Sequence, residues 1–155
     1  MTNSIFIDTN IWIYAFLDNE RDHAKQSKIL AVLEDISAES AVVISVQVVN
    51  EFHWILARKY GIHETTIKNK VIKGIAAFAN IVPLGFEIYQ YAFRIRSKYA
   101  ISFWDSLIVA SALDNGCNLL YSEDMQHGMV IERKLKILNP FVDENLATHS
   151  PMSLT

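Results

Sequence analysis

One cysteine, Cys117, in 155 residues excludes an internal disulfide framework and a thiolate zinc cage. It fits a reducing compartment, with the thiol buried as a small apolar group. An excess of positive charge is also missing: 14 Lys and Arg stand against 17 Asp and Glu, a net charge of −3 with His neutral. The chain therefore does not grip nucleic acid by bulk charge, and any anionic ligand must be held locally. No cationic segment precedes the first apolar stretch, which Asp8 interrupts, and no apolar run reaches the roughly 20 residues of a spanning helix. Neither a secretory signal nor a membrane anchor is expected, and the protein reads as soluble and cytoplasmic. The five histidines lack the His-x-x-x-His spacing of a zinc hydrolase. Internal repeats and low-complexity blocks are absent, and the length leaves no room for a second domain.

What is present is an alternation of short apolar runs with amphipathic stretches. Ile5 to Ile7 reads as a strand that ends in Asp8-Thr9-Asn10, side chains that close a strand and cap a helix. Helical spacing recurs over Lys25 to Ile36, Val46 to Tyr60, Thr66 to Ala79, Glu87 to Tyr99 and Phe103 to Asn115, with Gly61 and Gly116 as stops. In the Glu87 helix, Ile88, Tyr89, Ala92, Phe93 and Ile95 are expected to face inward. Ala41 to Ser45, Ile81 to Leu84, Asn118 to Tyr121 and Leu135 to Leu138 read as further strands, Pro83 placing the second of these at an edge or strand end. This pattern predicts one α/β domain, residues 1–141, with a mainly parallel central sheet and helices on both faces, followed by a polar tail, residues 142–155.

Open parallel sheets bind ligands beyond the carboxyl ends of their strands, and acids stand there repeatedly. Asp8 follows the first strand, Glu51 lies in the helix after the second, Asp105 opens the helix before the fourth, and Asp124 lies in the loop after the fourth. Each has a structural role open to it: Asp8 as a helix cap, Asp124 in a turn, Asp105 in a capping box with Ser102. Glu51 is harder to explain so, because Val48 and Ile55 put it on or beside the buried stripe with no Lys or Arg at its helical neighbours. Asp8 has the same difficulty.

A hard divalent cation resolves both, since clustered carboxylates repel one another and stay ionised together around an ion that prefers oxygen. Mg2+ or Mn2+ is the natural occupant. Without these four, 13 of the 17 acids remain against 14 bases, so the acidity of the chain resides largely in this cluster. Such an ion activates water and neutralises phosphate charge, which points to phosphodiester hydrolysis. Thr9, Asn10 and Ser122 are placed to orient ligands or water.

In order, Phe6-Ile7-Asp8-Thr9-Asn10, Val48-Val49-Asn50-Glu51-Phe52, Phe103-Trp104-Asp105-Ser106-Leu107-Ile108 and Tyr121-Ser122-Glu123-Asp124-Met125 resemble the four acidic motifs of PIN-domain ribonucleases, especially VapC-type toxins of toxin–antitoxin pairs. The likeness runs from about Ile5 to Phe141. It implies a Mg2+- or Mn2+-dependent endoribonuclease that acts on RNA, is commonly a homodimer and is often neutralised by a cognate antitoxin. Asp8, Glu51, Asp105 and Asp124 would be the metal-binding acids, and Thr9 and Ser122 the supporting hydroxyls, with Asn10 where small polar residues are usual. Glu123, beside Asp124, is an additional acid able to share the last role.

Two rival readings differ at named positions. A haloacid-dehalogenase-like phosphatase needs a second Asp two residues after the first, where this chain has Asn10. A non-catalytic RNA- or protein-binding module of the same fold is favoured by loss of a core acid, and all four are present. His53 reads as a packed or surface residue and His127 as a turn residue. Trp12, Phe52, Trp54, Phe93, Phe103 and Trp104 follow helical apolar faces, which favours core packing or a subunit contact over base stacking. Of the basic clusters at Arg58-Lys59, Lys68 to Lys73 and Arg94 to Lys98, one that borders the acids would hold flanking phosphates.

Overall fold

The computed structural model describes residues 3–36 and 38–142. Except for Val142, the polar tail lies outside them. The buried runs form a six-stranded sheet in the order β3-β2-β1-β4-β6-β5. Its strands are β1 (Ser4–Ile7), β2 (Ala41–Ser45), β3 (Asn80–Val82), β4 (Leu119–Tyr121), β5 (Val130–Ile131) and β6 (Leu135–Leu138). β1 through β4 and β6 are parallel, and only β5 runs antiparallel, against β6. Phe6, Ile7, Ile44 and Leu120 are completely or almost completely buried, as continuous apolar strands covered on both faces should be.

Seven α-helices accompany this sheet among the described residues: α1 (Thr9–Phe16), α2 (His23–Asp35), α3 (Val46–Arg58), α4 (Glu64–Lys70), α5 (Ala76–Phe78), α6 (Phe86–Lys98) and α7 (Phe103–Asp114), with a short 3-10 turn at Glu20–Asp22. The edge position expected from Pro83 is found, since β3 ends the sheet. No helix is long and apolar enough to cross a membrane among the described residues. The chain runs from β1 outward to β2 and β3, then crosses back to β4 on the other side of β1. That reversal opens a crevice at the carboxyl ends of β1 and β4.

The structure departs from the sequence expectations in three places. The helix expected over Thr66 to Ala79 begins at Glu64 and passes through a π-helical segment, Val71–Ile75. Gly74 lies in that segment, where an added Cβ would meet the Phe16 ring at 2.6 Å. Phe16 in turn packs edge-on against Phe52, with centroids 6.0 Å apart. We expect Gly74→Ala to cost about 1–3 kcal/mol through overpacking, read as a lower urea midpoint with an unchanged slope.

The second departure is a correction. Tyr89 and Phe93 do not face inward; they are 50% and 70% exposed. Ile88, Ala92 and Ile95 make the buried stripe, and Ile88 and Ala92 meet Ala110 of α7. Phe86, Tyr89 and Phe93 form a second stripe at i, i+3 and i+7, and one helix cannot turn both stripes toward the same neighbour. Of the aromatics expected in core packing or a subunit contact, Trp12 and Phe52 are in the core, whereas Trp54 and Trp104, each 63% exposed, lie on the surface. The third departure is the β5–β6 hairpin. Its turn closes by a Lys134 N–H to Ile131 carbonyl bond, with Glu132 and Arg133 both at positive φ, a backbone usually signalled by Asn-Gly.

Candidate active site

Asp8 ends β1 and caps α1, its Oδ1 accepting the Thr9 backbone N–H at 2.7 Å. The capping role weighed against a functional one is therefore real, but it occupies one oxygen only. Oδ2 accepts from the Ser122 hydroxyl at 2.9 Å, across from the end of β4. Asp8 is 7% exposed, and burial pushes its pKa up to about 7 against the opposing bonds from Thr9 and Ser122, with the charges of Glu51 and Asp105 adding to the rise.

Glu51 is satisfied without a cation. Its Oε2 accepts from the Thr9 hydroxyl at 2.8 Å and its Oε1 from Gln47 Nε2 at 2.9 Å. Gln47 also reaches the Trp104 carbonyl at 3.3 Å, tying the start of α3 to the start of α7. Gln47 is not a cation, but its position four residues earlier on the same helix is the spacing for an amide-to-carboxylate bond.

Asp105 sits in the first turn of α7, where the Ser102 side chain accepts its backbone N–H at 3.1 Å. This is one half of the expected capping box. Burial raises the Asp105 pKa, the Ser102 hydroxyl opposes, and the charges of Asp124 and Glu51 raise it further. Asp124 accepts from Asn10 Nδ2 at 2.8 Å. Its pKa is raised by burial first and then by the charge of Glu123, while Asn10 lowers it. Asn10 is thus an amide donor to an acid, where the phosphatase reading needs a second carboxylate.

Asp8, Glu51, Asp105 and Asp124 line one cavity of about 270 Å³, together with Thr9, Asn10, Gln47 and Trp104. Ser122 stands behind Asp8. Glu123 turns away and pairs with Lys25 Nζ at 2.6 Å. His127 accepts the Asn139 backbone N–H at 3.0 Å, a turn role, and His53 lies 3.5 Å from Glu64. Cys117 is buried.

Among the described residues no three Asp, Glu, His or Cys side chains stand close enough to form a metal cage as they are. The four acids share cavity walls, with mutual repulsion but no common bond. The donor set nevertheless suits a hard cation, because the polar atoms that reach the cavity from these acids are all oxygen. Gln47, 6% exposed, adds an Oε1 that is buried without a hydrogen-bond partner, and such an orphan atom has a strong claim on a ligand.

A profile of the PIN domain matches residues 5–128, which include all four acids. The chain belongs to the PIN-domain family. Solved structures show the same fold at low identity. VapC20 of Mycobacterium tuberculosis, a toxin that cleaves the sarcin–ricin loop, is 18% identical with a TM-score of 0.61, over 75% of this chain and 86% of that one. A toxin–antitoxin complex from Klebsiella pneumoniae gives 20% identity and a TM-score of 0.64 over 88% and 98%. VapBC2 of Rickettsia felis, bound to a DNA fragment from its promoter, gives 15% and 0.60 over 88% and 99%. No curated protein gives a significant match to this PIN domain in sequence.

Proposed function

We propose that this PIN domain is a Mg2+- or Mn2+-dependent endoribonuclease, the toxin of a toxin–antitoxin pair, acting in the cytoplasm. The observation that carries the reading is the convergence of Asp8, Glu51, Asp105 and Asp124, from four separate segments, on one cavity at the switch point of the sheet.

These four acids are the residues that would hold the ion. When bound, the ion neutralises charge on the scissile phosphate and acidifies the attacking water. The chain's own side chains orient the acids. Thr9 and Ser122 fix the two oxygens of Asp8, Thr9 and Gln47 fix those of Glu51, and Asn10 fixes Asp124. These bonds orient the carboxylates of Asp8, Glu51 and Asp124 before any ligand arrives, which favours electrostatic catalysis, and a bound cation would draw the acids closer together than they stand here.

The antitoxin of the Klebsiella complex supports a protein partner here. The exposed stripe of Phe86, Tyr89 and Phe93, continued by Phe103 and Trp104, supports burial against such a partner or a second copy in a homodimer.

The test is cleavage of end-labelled single-stranded RNA with Mg2+, Mn2+ or chelator. Internal cuts that vanish with chelator support the reading; release of phosphate from a small ester without RNA cleavage would sink it. The neighbouring acids separate within the same assay. Asp124→Asn should lower cleavage by about 10²-fold or more, since an acid of the cavity loses its charge. Glu123→Gln should change it by less than about tenfold, because Glu123 pairs with Lys25 outside the acid cavity and reaches Asp124 only through its charge.

A further inference from the structure

Next to the acid cavity lies a second one of about 370 Å³, walled by Trp54, Arg58, Lys59 and Tyr60. The two share Asn10, Ile55 and Asp124 as a common wall. Their chemistry differs, because the second adds two cations and an aromatic face to the carboxylates of Asp124 and Glu123 that also line it. One presents carboxylate oxygens; the other presents an indole that is 63% exposed, with the Arg58 guanidinium 5.0 Å from its ring centre. Lys59 Nζ lies 5.4 Å from the Tyr60 ring. Among the described residues neither Arg58 nor Lys59 makes an ion pair. Of the two acids that line this cavity, Asp124 belongs to the shared wall and Glu123 is paired with Lys25.

We propose that this second cavity is a nucleotide subsite, in which single-stranded RNA stacks a base on Trp54 and sets a backbone phosphate against Arg58 and Lys59, next to the phosphate held over the acids. The inference rests on the ribonuclease reading and deepens it. A chain of net charge −3 must hold a polyanion locally, and this is where two unpaired cations border the acid cluster. A flat exposed ring beside cations matches the alternation of base and phosphate along a single strand. A duplex keeps its bases stacked on one another and cannot offer one to Trp54. The stacking of Arg58 on the indole also holds the ring in place before any ligand arrives. For Trp54, this replaces the packing role that helical periodicity suggested.

The experiment measures fluorescence anisotropy of a labelled single-stranded RNA dodecamer in Mg2+, with Asp8→Asn protein so that the probe stays whole. Adding Trp54→Ala is expected to weaken binding roughly 5- to 150-fold, the range for loss of one stacked base. Trp54→Phe should keep most of the affinity, which a merely disturbed fold would not. Arg58→Ala should lower the slope of log affinity against log salt by about 0.7, one phosphate contact on a single strand. In the otherwise unaltered enzyme the same changes should raise KM while kcat stays within about threefold, because the ring contacts a neighbouring nucleotide and not the reacting atoms.

Equal dodecamer affinities for Asp8→Asn with and without Trp54→Ala overturn the subsite and leave the cavity to a protein partner. So does failure of the Asp8→Asn protein to bind the dodecamer at all. If binding depends on Trp54 but the unaltered protein cuts no RNA, the subsite stands and the hydrolytic reading falls.

Discussion

Asp8→Asn is expected to lower the proposed metal-dependent RNA cleavage by about 10³-fold or more and to leave the fold intact. The size follows from the several kcal/mol of transition-state charge stabilisation that a bound divalent ion supplies, at about 1.36 kcal/mol per tenfold in rate. The retained fold follows from the bonds Asp8 makes. Asn is as good an N-cap as Asp, so Asn Oδ1 can keep the Thr9 N–H that Asp8 Oδ1 accepts. The Ser122 hydroxyl, which donates to Asp8 Oδ2, can turn and accept from the amide instead. The check is cleavage rate against Mg2+ concentration for both proteins, with thermal melts alongside. Full activity in the variant would remove Asp8 from the site.

The second large effect concerns stability without divalent ions. An Asp in the unfolded chain titrates near 3.9, whereas the buried Asp8 titrates at about 7. Between those values the folded protein keeps a proton that the unfolded chain has released, so stability declines as pH rises from about 4 to 7 and the loss is complete above pH 7. The difference corresponds to something on the order of 4 kcal/mol. Asp105 and Asp124, also raised, push the same way.

In chelator, Asp8→Asn should therefore be more stable than the unaltered protein at pH 8 and nearly equal to it near pH 4. Mg2+ should restore the unaltered protein at pH 8 in proportion to the logarithm of its concentration, by about 2.7 kcal/mol at a hundred times Kd. It should do little for the variant. Melting temperatures across pH 4 to 8, with chelator and with Mg2+, read this directly. Parallel pH curves for the two proteins would show that Asp8 carries no buried charge.

Much of the site was legible because it obeys local rules. Asp8-Thr9-Asn10 after an apolar strand announced a cap at a strand end, and Glu51 between Val48 and Ile55 announced a carboxylate that needed partners. The partners themselves were not legible. Gln47 satisfies Glu51 with an amide and not a cation, and Glu123 is drawn away from the cavity by Lys25, which lies 98 residues before it. In the fold, continuous apolar runs marked the parallel strands, but a two-residue strand with a Glu132-Arg133 turn offers neither periodicity nor glycine. It is held from outside, by the Tyr99 hydroxyl at the Glu132 N–H and by Lys98 on the Glu132 side chain. Tyr89 and Phe93 were misplaced because a wide apolar face reads the same whether its cover is the chain's own core or another molecule.

Anomalous diffraction from crystals soaked in Mn2+ would locate the ion itself. An ion is expected between Asp8, Glu51, Asp105 and Asp124, with oxygens from at least two of them within about 2.5 Å. A cavity without manganese, its carboxylates bonded instead to lysine or arginine side chains, would contradict it.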